Sequence, residues 1–339
     1  MSPGAARRSE ARTGAARPGA AHPSPTTAAS TALVAERLPA ALALGRDLAG
    51  ELDDPAAFVG ALRAGLAGLA DSSCLTGQRL VAPGIGPTLG VRNPLLSAVG
   101  RGLAAATRRE APARLLLAAD AAARDELREL RWFAIAVLGR VVPADPERAW
   151  QVLRRIGREA DDWITVDTLA SVVGPAILRE PYRWTELEQL VYSPSCWERR
   201  LVGAAVASMP FSGGSLGRTP EVVRRGLELV AALLGDVEPE VQKALSWALR
   251  NLAALDPAAV LAFCASEADR AAVASDGARA RVIRGALPKL PAADAARLRT
   301  RLAGLRRVPG APSTSAAAAT AAAFAAAGLG RPLPEPPLT

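Results

Sequence analysis

Regularly placed prolines are the feature that most restricts how this chain can fold. Five of them follow a residue that commonly caps a helix or precedes one, and each opens a helix-compatible stretch: Asp145-Pro146, Ser193-Pro194, Thr219-Pro220, Glu238-Pro239 and Asp256-Pro257. Proline is tolerated at a helix start because the N–H that it lacks has no partner within the helix there. The spacing predicts helices over 146–158, 162–179, 184–192, 195–208, 220–235 and 239–254, with two more within 257–290.

Helix pairs at this spacing indicate a particular architecture. Helices of about 10 to 18 residues that recur every 35 to 45 residues or so are typical of HEAT-like α-solenoids. The stretches 54–70, 93–107 and 112–142 also have a helical period, and the Ala-rich, aromatic-poor composition favours helices. We therefore predict an all-α, HEAT-like α-solenoid with a concave basic groove over residues 36–307.

The two ends of the chain differ in composition from the middle. Residues 1–35 are predicted to be a disordered basic arm rich in Ala and Pro, and residues 308–339 a low-complexity Ala/Pro-rich tail. Within that tail 316–327 is compatible with a helix that need not pack. Neither a secretory signal nor a strongly apolar run of about 18 residues is evident, so we expect no membrane contact and a cytoplasmic bacterial protein, nucleoid-associated when bound to DNA.

Charge and residue usage restrict the chemistry. The formal net charge of +8 favours a polyanionic partner, with nucleic acid ahead of a membrane surface. His22 is the only histidine, and the three cysteines are too far apart in sequence for a disulfide framework or a zinc site. Catalysis would then have to rely on carboxylates, Arg, Tyr or Trp, and we expect no metal and no cofactor.

Trp163 and Asp167 are the first candidates for such chemistry. They are four residues apart on a predicted helix and therefore share one face. An aromatic wall beside a negative charge suits a cationic or electron-poor ligand. The structural alternative is that Trp163 belongs to the core and Asp167 is a solvated surface carboxylate.

In the next two predicted helix pairs, the second helix continues this pattern. Arg200 lies within 195–208, and 239–254 presents Trp247 together with Lys243 and Arg250. Small residues such as Ala170 and Gly203 follow these large groups along each helix face, which predicts a floor of small side chains. If the second helices form the concave layer of the solenoid, the large groups line one groove.

Three of these segments resemble those of a known family. In order, they are Trp163–Asp167, Cys196–Arg200 and Val241–Arg250, and they are similar to the signature segments of the AlkD-like alkylpurine DNA glycosylases. Gly90–Pro94 and the basic segment 279–290 resemble two further family features, so the resemblance covers approximately residues 50–290. One departure is Asp162, at a position where the family often has a second Trp.

The resemblance implies a DNA glycosylase that binds double-stranded DNA on its concave face. Such an enzyme hydrolyses the N-glycosidic bond of N3- or N7-alkylated purines without a metal or cofactor. It implies that Asp167 is the catalytic carboxylate, that Trp163 and Trp247 are walls beside the lesion, and that Arg200 holds the DNA backbone. The expected DNA contacts are Lys243, Arg250, Arg279, Arg281 and Arg284. A monomer is expected, because the groove must stay open.

Alternatives remain at this point. Asp167 and Arg200 could be a purely structural pair, Trp247 could be core, and the basic segment could be only a solvated face. The protein as a whole could be a noncatalytic HEAT-like relative that binds DNA or acts as a protein scaffold. The sequence leaves open whether the lesion is a small methyl group or a bulky adduct.

Overall fold

A computed structural model describes residues 25–329, and it places sixteen α-helices and no β-strand in that range. Four single 3-10 turns, over 48–51, 181–183, 216–218 and 287–289, join some of them. The helices are α1 (Pro25–Asp47), α2 (Pro55–Gly68), α3 (Ser72–Val81), α4 (Asn93–Ala106), α5 (Pro112–Ala123), α6 (Arg128–Val141), α7 (Pro146–Glu159), α8 (Trp163–Arg179), α9 (Trp184–Leu190), α10 (Cys196–Ser212), α11 (Pro220–Leu233), α12 (Pro239–Leu252), α13 (Pro257–Val273), α14 (Gly277–Ala286), α15 (Ala292–Arg301) and α16 (Ala316–Ala326).

The helix starts follow the proline pattern. The side chains of Asp145, Thr219 and Asp256 each accept a hydrogen bond from the backbone N–H three residues further on, so they cap α7, α11 and α13. Glu238 precedes α12 without a side-chain cap. At α10 the cap is Ser195, one residue after the predicted proline. The proline pattern therefore predicted most of these helix starts correctly.

The helices form two layers. We call α4, α6, α8, α10, α12 and α14 the inner layer, because each packs against the next in that order. The outer layer consists of α5, α7, α9, α11 and α13, which pack against the inner helices and bury a continuous apolar core. Further out, α1 packs on α4 and α2 packs on α5. This arrangement confirms the all-α solenoid.

Small residues let the inner helices approach closely. A Cβ atom added at Gly174 of α8 would lie 2.4 Å from the Ser208 hydroxyl of α10, and one at Gly203 of α10 would lie 2.9 Å from the Ala244 carbonyl carbon of α12. The Ser208 hydroxyl also donates to the Ala170 carbonyl at 2.8 Å. The small residues thus serve mainly to join neighbouring inner helices, which corrects the expectation that they form an open groove floor.

Other parts of the chain depart from the predicted boundaries. Helix α1 begins at Pro25, so the predicted arm boundary at residue 35 falls inside a helix that packs on α4. The stretch 112–142 is two helices rather than one, since the chain turns between α5 and α6. Helices α3 and α15 were not predicted. Residues 1–24 and 330–339, which hold the rest of the two predicted terminal segments, lie outside the described residues.

The predicted low-complexity tail contains a packed helix. Helix α16 lies against α11 and buries Ala317, Ala318 and Ala321. The Ser315 hydroxyl caps it and donates to the Ala232 carbonyl of α11 at 2.7 Å. The composition alone did not predict this packing, which combines the three buried alanines with the hydrogen bond from Ser315 to α11. Among the helices of residues 25–329, none has the length and apolarity needed to cross a bilayer.

We expect Gly203→Ala to destabilise the protein. Its new Cβ would force α10 and α12 apart, at a cost of about 1–3 kcal/mol for overpacking, which exceeds the roughly 1 kcal/mol that Ala gains over Gly in a helix. The matched control is Gly60→Ala in α2, where a Cβ would meet nothing within 4 Å. Thermal melts should show a lower Tm for the first variant and an equal or higher Tm for the second. A Gly203→Ala melt at or above the wild-type Tm would contradict the close-contact interpretation.

Candidate active site

The start of α8 is fixed by Asp162, the residue that departs from the family pattern. Its buried carboxylate accepts hydrogen bonds from the Thr165 N–H at 2.8 Å and the Thr165 hydroxyl at 2.6 Å. The Trp132 indole N–H of α6 donates to the same hydroxyl at 2.9 Å, and the Arg128 Nε lies 3.4 Å from the Asp162 carboxylate. This network anchors the first turn of α8, which carries Trp163.

Asp167 and Arg200 form the centre of the site. Arg200 reaches from α10 to α8, and its Nη2 lies 2.9 and 2.8 Å from the two oxygens of Asp167, with Nε at 3.1 Å. The other arm of the guanidinium, Nη1, donates to the Glu240 carbonyl of α12 at 2.8 Å and to its carboxylate at 3.1 Å. One buried arginine therefore joins three successive inner helices.

Burial sets the electrostatics of Asp167. Removal from water raises the pKa of its carboxyl above the ordinary value, and the Arg200 guanidinium opposes that rise. The Asp167 side chain is still 22% exposed, whereas that of Arg200 is 6% exposed. The carboxylate is thus held by a buried cation on one side and remains accessible on the other.

A cavity of about 560 Å³ lies between α4, α6 and α8, next to this pair. Trp163 and Asp167 line one side of it, and Trp163 is half-buried with its ring centroid 6.0 Å from the Arg200 Cζ. Apolar residues form most of the remaining wall: Leu96, Phe133, Val137 and Ile164. The accessible edge of the Asp167 carboxylate therefore faces a space large enough for a nucleobase and its sugar.

The sequence pattern missed several residues of this site. Glu240 lies one residue before the segment of α12 that resembles the family. Its spacing from Lys243 was the only feature of the sequence that could have indicated it. Arg101 of α4 and Arg140 of α6 line the cavity and are exposed, and burial of part of the Arg140 side chain lowers its guanidinium pKa. For the helices that carry these two arginines, the sequence indicated a helical period but no boundaries. The helix face on which each arginine lies could therefore not be assigned. Trp132 also lines the cavity.

Trp247 lies further along the inner layer. It is half-buried on α12, packs against the apolar core and does not line the cavity. It follows Glu240 by seven residues, or nearly two helical turns, and therefore shares a helix face with it. The structure brings Trp163, Asp167 and Arg200 together, while the role of Trp247 as a second wall stays a prediction.

The predicted DNA contacts differ in their surroundings. Lys243 is exposed and pairs with Glu240, and Arg281 is exposed on α14. Arg250 is half-buried and donates to the Gly285 carbonyl at 2.9 Å, and Arg284 is half-buried and donates to the Leu305 carbonyl at 2.7 Å. Arg281 is therefore the predicted contact on α14 whose side chain is exposed, and its contact with DNA stays a prediction.

Arg279 requires a correction. It is buried, and its guanidinium pairs with Glu267 of α13 and with Asp276, the residue that caps α14. Its Nη2 also donates to the Leu234 carbonyl at 3.1 Å. These partners hold the side chain in the core between α13 and α14, so we no longer expect it to contact DNA.

One protein-family model matches most of the chain. The model of the family described as DNA alkylation repair enzyme matches residues 63–278, which is well over half of the chain and includes α8, α10 and α12. The chain belongs to this family, and the family resemblance of its sequence segments is thereby confirmed. Membership assigns the protein a role in DNA repair. No curated protein and no solved structure matched the chain.

We expect Arg200→Ala to be strongly destabilising. It would leave Asp167 and Glu240 without their shared cation, at a cost of about 2–4 kcal/mol, which is discounted because both carboxylates are partly exposed. The control Arg224→Ala removes an arginine that pairs with Glu221 and Glu228 on the exposed side of α11, and it should cost much less, because solvent screens exposed ion pairs. Urea denaturation of both variants measures the difference, and equal losses would show that the Arg200 cluster contributes no more than a surface pair.

Proposed function

We propose that the protein is a DNA glycosylase that hydrolyses the N-glycosidic bond of cationic N3- or N7-alkylated purines in duplex DNA. The observation that carries this proposal is the Asp167–Arg200 pair, whose accessible carboxylate edge faces a cavity beside Trp163. Membership of the DNA alkylation repair family supports it. The activity requires no metal or cofactor.

The chemistry fits a single carboxylate. An alkylated purine carries a positive charge, so its bond to the sugar is already weakened and the base leaves as a neutral molecule. The bonding electron pair goes to the purine nitrogen, and the sugar becomes oxocarbenium-like. Asp167 stabilises that positive charge and orients a water molecule that bonds to the anomeric carbon, and the water's proton passes to Asp167 and then to solvent.

Arg200 acts as a positioning residue in this scheme. Its Nε, Nη1 and Nη2 groups are all engaged by Asp167 and Glu240, so its contribution is to orient the carboxylate and to favour the ionised form. This assignment differs from the family-based expectation that Arg200 holds the DNA backbone. A DNA contact would require the guanidinium to leave at least one of these partners.

Trp163 accounts for selectivity. An indole face beside a cationic base or an oxocarbenium-like sugar contributes about 0.5–2 kcal/mol of cation–π attraction, and more when water is excluded. A neutral purine gains less from the same surface. Trp163 and Asp167 together therefore favour a positively charged base over a neutral one. Positive charge is what distinguishes an alkylated purine from its neighbours in the duplex.

Two other functions compete with this proposal. A noncatalytic relative would use the same inner layer to bind DNA, with Asp167 and Arg200 serving only to join helices. A protein scaffold would bind neither intact nor damaged duplex in a salt-dependent way. The noncatalytic alternative draws on the buried position of Arg200, and activity measurements on isosteric variants distinguish it from the glycosylase.

We expect Asp167→Asn to lower the rate of alkylated-purine release by at least about 100-fold, because the amide keeps the shape but loses the charge that stabilises the transition state. Release of methylated purines from a duplex under single-turnover conditions measures this rate. The control is Asp161→Asn, which removes a carboxylate six residues away that is 60% exposed and pairs with Arg128.

The outcomes separate the alternatives. Normal release by Asp167→Asn would refute the catalytic assignment. Duplex binding by the wild-type protein without any release would favour the noncatalytic relative. Absence of duplex binding at low salt would favour a scaffold.

Arg281→Ala should weaken duplex binding and reduce the slope of log affinity against log salt by about 0.9, the value for one lost phosphate contact. The matched control is Arg224→Ala on the outer layer, which removes the same charge and should leave the slope unchanged. Affinities measured by fluorescence anisotropy between low and moderate salt give both slopes. Identical slopes for the two variants would indicate that Arg281 makes no phosphate contact.

A further inference from the structure

An exposed aromatic side chain ends the central inner helix. Phe211, in the last turn of α10, is 64% exposed, and Leu216, in the 3-10 turn that follows, is 51% exposed. Large apolar side chains on the surface usually stand singly and need no explanation. Phe211 and Leu216 are only five residues apart in sequence, at the end of the helix that carries Arg200, so their exposure requires an explanation.

Phe211 shares a helix face with Arg200. The two are eleven residues apart, which is close to three full turns and about 16 Å along the helix. On one side of this face Ser208 contacts α8, and on the other Gly203 contacts α12. Val206 points to the opposite side, where it contacts Gly226 of the outer helix α11. Phe211 therefore projects from the exposed surface of the inner layer.

The segment that presents these side chains is anchored. The Gly213 N–H donates to the Met209 carbonyl at 3.0 Å, and the Arg218 Nε donates to the Pro210 carbonyl at 3.2 Å. A side chain at Gly213 would be crowded by Leu178 of α8, and one at Gly217 by the Met209 carbonyl. Phe211 and Leu216 are thus held in place while remaining uncovered.

Cations flank this position. The inner helices run parallel, as contacts between their carboxyl-terminal ends show: Arg140 of α6 donates to the Ala104 carbonyl of α4, and Arg250 of α12 donates to the Gly285 carbonyl of α14. Arg140, Arg179 and Arg250 occupy the last turns of α6, α8 and α12. In α10 the last turn has no basic residue and carries Phe211 instead.

The arginines alone would not identify a partner, because cations at helix ends also stabilise the helix dipole. An exposed phenylalanine between them has no such structural role. A row of cations interrupted by an aromatic group matches a phosphate backbone with an accessible groove, whereas a protein partner would gain little from the arginines.

We propose that Phe211, together with Leu216 in the turn that follows, is a wedge that inserts into the DNA duplex at a distance from the reacting nucleotide. This inference rests on the proposed function, since it places the damaged nucleotide at Asp167. Phe211 lies about 16 Å along α10 from Arg200, the partner of Asp167, so the wedge meets the duplex at a base step away from the reacting nucleotide. Apolar wedges of this kind part neighbouring base pairs and bend DNA, and the wider contact offsets the lost stacking.

The experiment uses the full-length protein and duplexes that contain 2-aminopurine, whose fluorescence increases when it unstacks, at successive positions around an alkylated purine. The wild-type protein should increase fluorescence at one step away from the lesion. Phe211→Ala combined with Leu216→Ala should abolish that increase and weaken binding about 10-fold, the scale of one lost base–aromatic contact. The salt slope should not change, because no charge is removed.

Two further variants make the result specific. Phe211→Trp should retain the fluorescence change. Tyr192→Ala, at a 48%-exposed aromatic beside α11, should leave both binding and fluorescence at wild-type levels. An unchanged Tm for each variant confirms that the fold is intact.

The proposal is overturned if the double variant binds with wild-type affinity and gives the wild-type fluorescence change. That outcome, together with normal purine release, would leave the glycosylase function standing. A wild-type protein that unstacks the distant step but releases no alkylated purine would instead refute the glycosylase function and retain the wedge. Wild-type DNA binding by the double variant, with aggregation of the parent protein relieved, would assign the patch to a protein contact.

Discussion

The buried guanidinium of Arg200 is the interaction on which the rest of the structure depends. It pairs with Asp167 of α8 and with Glu240 of α12 while extending from α10, so one side chain joins three consecutive repeats. Removing a cation of this kind from water is costly unless its hydrogen-bonding groups are satisfied, and here they are. The accessible carboxylate is consequently positioned by the spacing of the repeats themselves, and any change in that spacing would move it.

That spacing is set by close packing between the same helices. Gly203 permits α10 to approach α12, and Gly174 permits α8 to approach α10. A larger residue at either site would lengthen the distance that Arg200 must span. The small residues of the inner helices and the charged pair therefore act together. Close backbone contact brings the ionic groups within hydrogen-bonding distance, and one edge of Asp167 is left facing the cavity.

Much of the fold could be predicted because its determinants are local. Prolines and capping side chains mark helix starts in any context, and spacing along a helix places Trp163 and Asp167 on one face. What the sequence could not supply depends on burial and on distant partners. In the sequence Arg279 is indistinguishable from a surface cation, and only the structure shows its pairing with Glu267 and Asp276. Glu240 belongs to the site only because it pairs with Arg200. The packing of α16 likewise depends on hydroxyl groups that contact α11 and the loop after it.

That C-terminal helix has a consequence for how the molecule opens. In a solenoid each repeat contacts only its neighbours, so the last repeats can fray one at a time. Here Ser313 donates to the Gly235 carbonyl, Ser315 donates to the Ala232 carbonyl, and Thr314 contacts Asp276, the cap of α14. The chain returns from α15 to α11, so α13 to α15 are enclosed in a loop tied at both ends. The terminal repeats should then exchange their amide hydrogens as one cooperative unit instead of progressively from the end.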